Sequence, residues 1–165
     1  MRRGLIILGV GLATTAVGVP AATAQSFISA TAATSGDELV VSFTEGGLGD
    51  NQSIDYEAST NVTATEVCVT RGGVHPAGKN QTTDVLGAET APGTFTSVND
   101  QVTGMLTLIP PPFTPFTCPS GQGLREARVV YQNVSITDKT NDVTESIPGT
   151  FDTGCLLPDV RGACD

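Results

Sequence analysis

The chain has 165 residues, with 17 Asp and Glu against 8 Lys and Arg and a single His, for a formal net charge of −9. A surface this acidic repels phosphate backbones and anionic lipid, so nucleic-acid binding and attachment to acidic membranes are excluded as expected roles. An apolar share of 39% and four cysteines leave a chain able to build a core and staple it.

Arg2 and Arg3 give a positive start, Leu5 to Val19 is apolar, and Ala22-Thr23-Ala24 is a small-x-small cleavage site. The pattern predicts a secretory signal peptide over residues 1–24 and a mature chain beginning at Gln25. The apolar run is too short and too rich in Gly and Thr for a bilayer span. Arg2-Arg3-Gly4-Leu5-Ile6 fits a twin-arginine core formally, but almost nothing precedes the arginines, so the general secretory route is expected. With residues 1–24 removed, 141 of the 165 remain; loss of two arginines takes the charge from −9 to −11, with 17 acids facing 6 bases. The expectation is release outside the cell as one domain over residues 25–165.

All four cysteines, Cys68, Cys118, Cys155 and Cys164, fall in the mature part. An even count in an exported chain reads as two disulfides, with three possible pairings. Cys155 and Cys164 share one short tail and meet easily, which favours that pair and leaves Cys68 with Cys118. Zinc is disfavoured by the lone His and the absence of a Cys-x-x-Cys pair.

No sustained helical period follows the leader. Ser26 to Gly36 reads as a loose lead-in or weak edge strand. Leu39, Val41 and Phe43 alternate with Glu38, Val40 and Ser42 as a first good strand, stopped by the glycine-rich turn Glu45 to Asp50. Ile54, Tyr56 and Ala58 alternate next, and Asn61 to Thr70 is β-branched. Gln81 to Thr90 predicts a modest strand. Gly93 to Val98 and Gln101 to Ile109 predict a hairpin about Asn99-Asp100, ended by Pro110-Pro111-Pro112. A long hairpin runs from Ala127 to Phe151 about the turn Asp138 to Asp142. In it, Ala127, Val129 and Tyr131 share one parity, and Val134 and Ile136 the other, which predicts a bulge at Gln132-Asn133. Strands recurring every 8 to 14 residues or so predict an all-β antiparallel sandwich of immunoglobulin-like or Greek-key type, with about seven to eight strands and a disulfide-closed tail over residues 152–165.

Gly47-Leu48-Gly49-Asp50-Asn51, Tyr56-x-Ala58, Val67-Cys68-Val69, Gly72-Gly73-x-His75-Pro76 and Lys79-Asn80 occur in that order. Phe95-Thr96-Ser97, Cys118-Pro119-Ser120-Gly121-Gln122, Val129-x-Tyr131-x-Asn133-Val134 and Pro148-Gly149-Thr150-Phe151 follow. On these motifs the chain, up to Phe151, resembles an uncharacterised family of small secreted bacterial β-sandwich proteins. The resemblance implies a secreted sandwich and carries no activity and no catalytic residues. It places Cys68 and Cys118 in the shared part, which supports their pairing, and sets the last fourteen residues apart.

No Gly-x-Ser-x-Gly, His-Glu-x-x-His or phosphate-loop motif is present, and Ser120-Gly121-Gln122-Gly123 is read as a turn. His75 lies in Arg71 to Asn80, a stretch that also holds Lys79; read functionally it is a basic patch for an acidic ligand, or His75 a general base. Paired carboxylates leave room for a glycosidase, although a chain without Trp lacks the usual sugar-stacking platform. Asp138, Asn141 and Asp142 offer oxygen atoms to calcium without completing a calcium-loop pattern. Phe113 and Phe116, in the stiff proline stretch, either anchor a partner or close one end of the sandwich, and the low aromatic count favours burial. The expectation is therefore a secreted, non-catalytic protein, with no cofactor, that binds an extracellular protein or cell-wall component, a protease inhibitor being one form. The alternative is a small secreted hydrolase using His75 or a carboxylate pair.

Overall fold

The structure, a computed structural model, describes residues 24–74, 82–110 and 116–164, with residues 82–86 described in backbone only. The expected leader lies outside them apart from its last residue, as do His75, Lys79 and Phe113. Seven strands follow in chain order: β1 (Ser26–Ser35), β2 (Glu38–Gly46), β3 (Ser53–Thr70), β4 (Thr82–Thr96), β5 (Gln101–Leu108), β6 (Gln122–Asp138) and β7 (Val143–Asp152). They form two antiparallel sheets, one in the order β1-β2-β5 and one in the order β4-β3-β6-β7. This is an immunoglobulin-type wiring in which the fourth strand pairs with the third instead of joining the sheet of the first, second and fifth.

The sheets face each other across one core. Leu39, Val41 and Phe43 of β2 and Val102, Leu106 and Leu108 of β5 come from one side, and Ile54, Tyr56, Val62, Val129, Tyr131 and Ile136 from the other. Each set is an alternating series, since successive side chains of a strand point to opposite faces. The rings of Phe27, Phe43, Tyr56 and Phe95 meet at one end, with centroids 4.5 Å apart for Phe43 and Tyr56 and 5.5 Å apart at right angles for Phe43 and Phe95. Space for them comes from Gly104, where an added Cβ would sit 2.8 Å from both Phe43 and Phe95. Tyr131, fully buried in β6, donates its hydroxyl to the Asp37 carbonyl in the β1–β2 turn and so ties the two sheets together.

The expected bulge is present. Gln132 pairs with Asn61 and with Thr150, while Val134 pairs with Ile147, and Asn133 between them has φ +54°. The Thr60 hydroxyl reaches across to the Gln132 carbonyl at 3.0 Å. A second bulge was not expected. Thr65 pairs with Arg128 and Glu66 with Glu126, so Ala127 is the extra residue. Ala127 therefore leaves the face of Val129 and Tyr131 and joins Val67 and Ala163 in a separate cluster, and Glu126 turns inward with Glu66.

The hairpin expected from β4 and β5 is corrected. Asn99 and Asp100 do make a tight turn, with φ +53° and +68° and hydrogen bonds between Val98 and Gln101 in both directions. Beyond it the strands part: Thr96 pairs with Ser53 of β3 and Gln101 with Gly46 of β2, in opposite sheets. Buried Ser97 makes the corner, its hydroxyl accepting the Gln52 amide at 2.8 Å and its own amide donating to the Gln52 carbonyl at 2.8 Å. The lead-in Ser26 to Gly36 contains the edge strand β1, whose register on β2 shifts between Phe27 and Ser29, and the two series from Ile54 to Thr70 are one strand of 18 residues.

Cys68 is bonded to Cys118 and Cys155 to Cys164. Beyond β7 the tail continues along β6, the Thr153 and Leu156 amides donating to the carbonyls of Val129 and Ala127. It lays Leu157, Val160 and Ala163 over Val67, Val69 and Ala127, covering the outer face of the four-stranded sheet at one end.

Candidate functional site

The interior holds two groups of acids. At the aromatic end, Glu45 is fully buried and neither carboxylate oxygen has a hydrogen-bond partner of good geometry. Burial raises its pKa, and the Asp138 charge adds to this; the nearby Tyr56 hydroxyl opposes it. Asp138 is itself buried but satisfied, one oxygen accepting the amides of Thr140 and Asn141 at 2.7 and 2.9 Å and the other the Asn141 side chain at 2.6 Å. Of the oxygens offered to calcium in the sequence, those of Asp138 thus hold the β6–β7 turn.

At the other end, Glu66 is fully buried with both oxygens unpartnered, and burial raises its pKa. Glu126 is pushed up to about 7, first by burial, then by its contact with Asp37 and the charges of Asp37 and Glu66. Tyr131 beside them is raised as well, chiefly by burial. Among the described residues no group of three or more His, Cys, Asp or Glu is arranged to hold a metal ion.

The basic counterpart lies on the surface close by. β4's register ends at Val67, which lies opposite Arg125 of β6, and β3 and β6 run on as a pair beyond it, with Val69 opposite Gly123 and Thr70 opposite Gln122. Residues 69–71 and 121–123, with Arg125, line a cleft of about 350 Å³. The alternation places Val69, Gly123 and Arg125 on one face of this ribbon, and Arg71 and Gly121 continue the series just beyond it. Gly121 and Gly123 leave the floor open: an added Cβ at either would meet nothing within 4 Å. The Gln122 amide closes the entry turn onto the Pro119 carbonyl at 3.1 Å, and its side-chain oxygen is buried without a partner. Val69 gives the cleft an apolar side and packs on the cluster closed by the tail.

Arg71 and Arg125 are both exposed, and neither is ion-paired among the described residues. Among the described residues Arg125 donates to the Leu124 carbonyl alone, at 3.3 Å. Arg128 and Lys139, by contrast, pair with Asp152 and Glu57. Two guanidinium groups on one cleft, without an ion pair among the described residues, form in a chain with 17 acids a local field opposite to that of the whole molecule. A second cleft of about 340 Å³ lies at the Asn133 bulge against Ile147 and Pro148, and among the described residues no charged one lines it.

Of the residues singled out in the sequence, the four cysteines are paired as expected. Phe116 is half-buried just before Cys118. Arg71, the first residue of the expected basic patch, does line a cleft, but its partner there is Arg125, which the sequence reading passed over. The glycines read only as a turn are the cleft floor. Their spacing of two was the available signal, because it puts both on one face of a strand. No protein-family model, curated protein or solved structure matches this chain.

Proposed function

We propose that the chain is a secreted, non-catalytic binding protein that engages an extracellular protein or cell-wall component through the cleft at the end of the β3–β6 ribbon. One observation carries this reading: Arg71 and Arg125, unpaired among the described residues, line the same open, glycine-floored cleft. The two disulfides fit an oxidising compartment, in agreement with an export leader. Arg125 sits on a stapled strand pair and Arg71 in the turn directly after β3, and a binding residue on a strand is held more rigidly than on a free loop, which lowers the entropy lost on association. A protease inhibitor is one specific form of the reading.

The test is capture with the mature chain, Gln25 to Asp165, from culture supernatant and cell-wall extract, bound species being identified by mass spectrometry. A specific partner held by the wild type and lost by an Arg71→Gln/Arg125→Gln variant is the expected result. A partner held equally by both, or none, overturns it.

A second reading, a small secreted hydrolase, draws on Glu126, whose pKa of about 7 suits a general acid. It predicts a hydrolytic activity that Glu126→Gln abolishes; an activity left intact by that change, and by replacement of His75, removes it.

A further inference from the structure

Resting on that binding reading, we infer that the cleft takes the free carboxylate end of a peptide whose last residues are small and uncharged. The argument starts from charge. Guanidinium groups present a planar fork of donors that matches a carboxylate, and unpaired ones gain most from meeting it. The rest of the molecule carries 17 acids, so a long polyanion is repelled as a whole while a single terminal anion is held locally.

Size and shape narrow the ligand further. The cleft measures about 350 Å³, its floor is bare at Gly121 and Gly123, and its one apolar side is Val69. That leaves room for one or two small residues beside the two arginines. The main chain of the ligand has a place as well. β7 pairs with β6 only from Val130 onward, and the tail amides continue that pairing to Ala127. On the side away from β3, residues 122–126 of β6 have no strand partner among the described residues. An extended peptide can add to such an edge through backbone hydrogen bonds, its terminus directed to the arginines. A protein C-terminus and a cell-wall stem peptide offer the same chemistry and differ in the hand of the last residue.

The test is calorimetric titration of the mature chain with N-acetyl-Gly-Ala-Ala as the free acid, as the C-terminal amide, and with D-Ala in the last two places. The free acid of one hand should bind, the matching amide at least tenfold more weakly, and raised salt should weaken the acid selectively. Gly123→Leu, whose Cβ would meet nothing within 4 Å, fills the floor and should abolish binding with melting unchanged, as should Arg71→Gln/Arg125→Gln. Preference for the L form points to a protein tail, and for the D form to a wall stem. Equal binding of acid and amide, or binding that survives both variants, overturns the inference. So does silence of every peptide at millimolar concentration. If a captured partner still depends on Arg71 and Arg125 in that case, the binding reading stands and only the carboxylate assignment falls.

Discussion

Glu126 sets the clearest expectation at the scale of single residues. Its folded pKa of about 7 lies above the ordinary 4.5, so the folded state holds the proton more tightly than the unfolded chain does. The stability this confers is complete below about pH 4.5 and is lost as pH rises through about 7. Glu45 and Glu66 are raised by burial and act in the same direction. Asp152 opposes them, lowered to about 2 by Arg128, but that pair is on the surface and screened. Melting temperature should therefore be higher at pH 5 than at pH 8. Glu126→Gln should flatten the profile and stabilise the protein at pH 8 by on the order of 1–2 kcal/mol, discounted for its partial exposure. A profile unchanged by the substitution would contradict the assignment. Gly104→Ala tests the aromatic end: a methyl 2.8 Å from two phenyl rings overpacks the core, and urea titration should show a loss of about 1–3 kcal/mol. Neither effect could be read beforehand. Gly104 looks like any strand glycine, and Glu126 turns inward only because Ala127 is bulged.

At the scale of elements, the β6 bulge was legible and its neighbour was not, for one reason. Val134 and Ile136 visibly break the parity of Val129 and Tyr131, so β6 had to carry an extra residue against β3 at Asn133. Ala127 hides its own bulge because an apolar side chain fits the core and the tail cluster equally well. Asn133 sits at φ +54°, which asparagine tolerates and β-branched residues resist. Asn133→Val should cost about 1–2 kcal/mol and Asn133→Gly far less, by chemical denaturation. The β4–β5 error was of another kind. Local sequence set the turn at Asn99-Asp100 correctly, but partner choice was fixed by β2 and β3, both distant in the chain. The disulfides join elements across unequal spans, 50 residues for Cys68–Cys118 and 9 for Cys155–Cys164. Removing them should cost about 4 and about 3 kcal/mol respectively, since the longer loop restricts the unfolded chain more. Loss of the tail bridge should also loosen the cover over Val67 and Ala127, giving faster amide exchange at Leu156.

At the scale of the whole molecule, a strongly acidic sandwich carries a small basic cleft, at the end where β3 and β6 run on together. Fold class followed from alternation and turn residues, because each strand shows its buried face locally. The cleft did not, because Arg71 and Arg125 are 54 positions apart and meet only through the β3–β6 register. The central claim is that this cleft is where the molecule meets its partner. The most direct measurement is an amide correlation spectrum of the isotope-labelled chain from Gln25 to Asp165, titrated with cell-wall extract and concentrated culture supernatant. Shifts concentrated on residues 69–71 and 121–125 are the predicted result. Shifts centred elsewhere, or a spectrum that does not move, would contradict it.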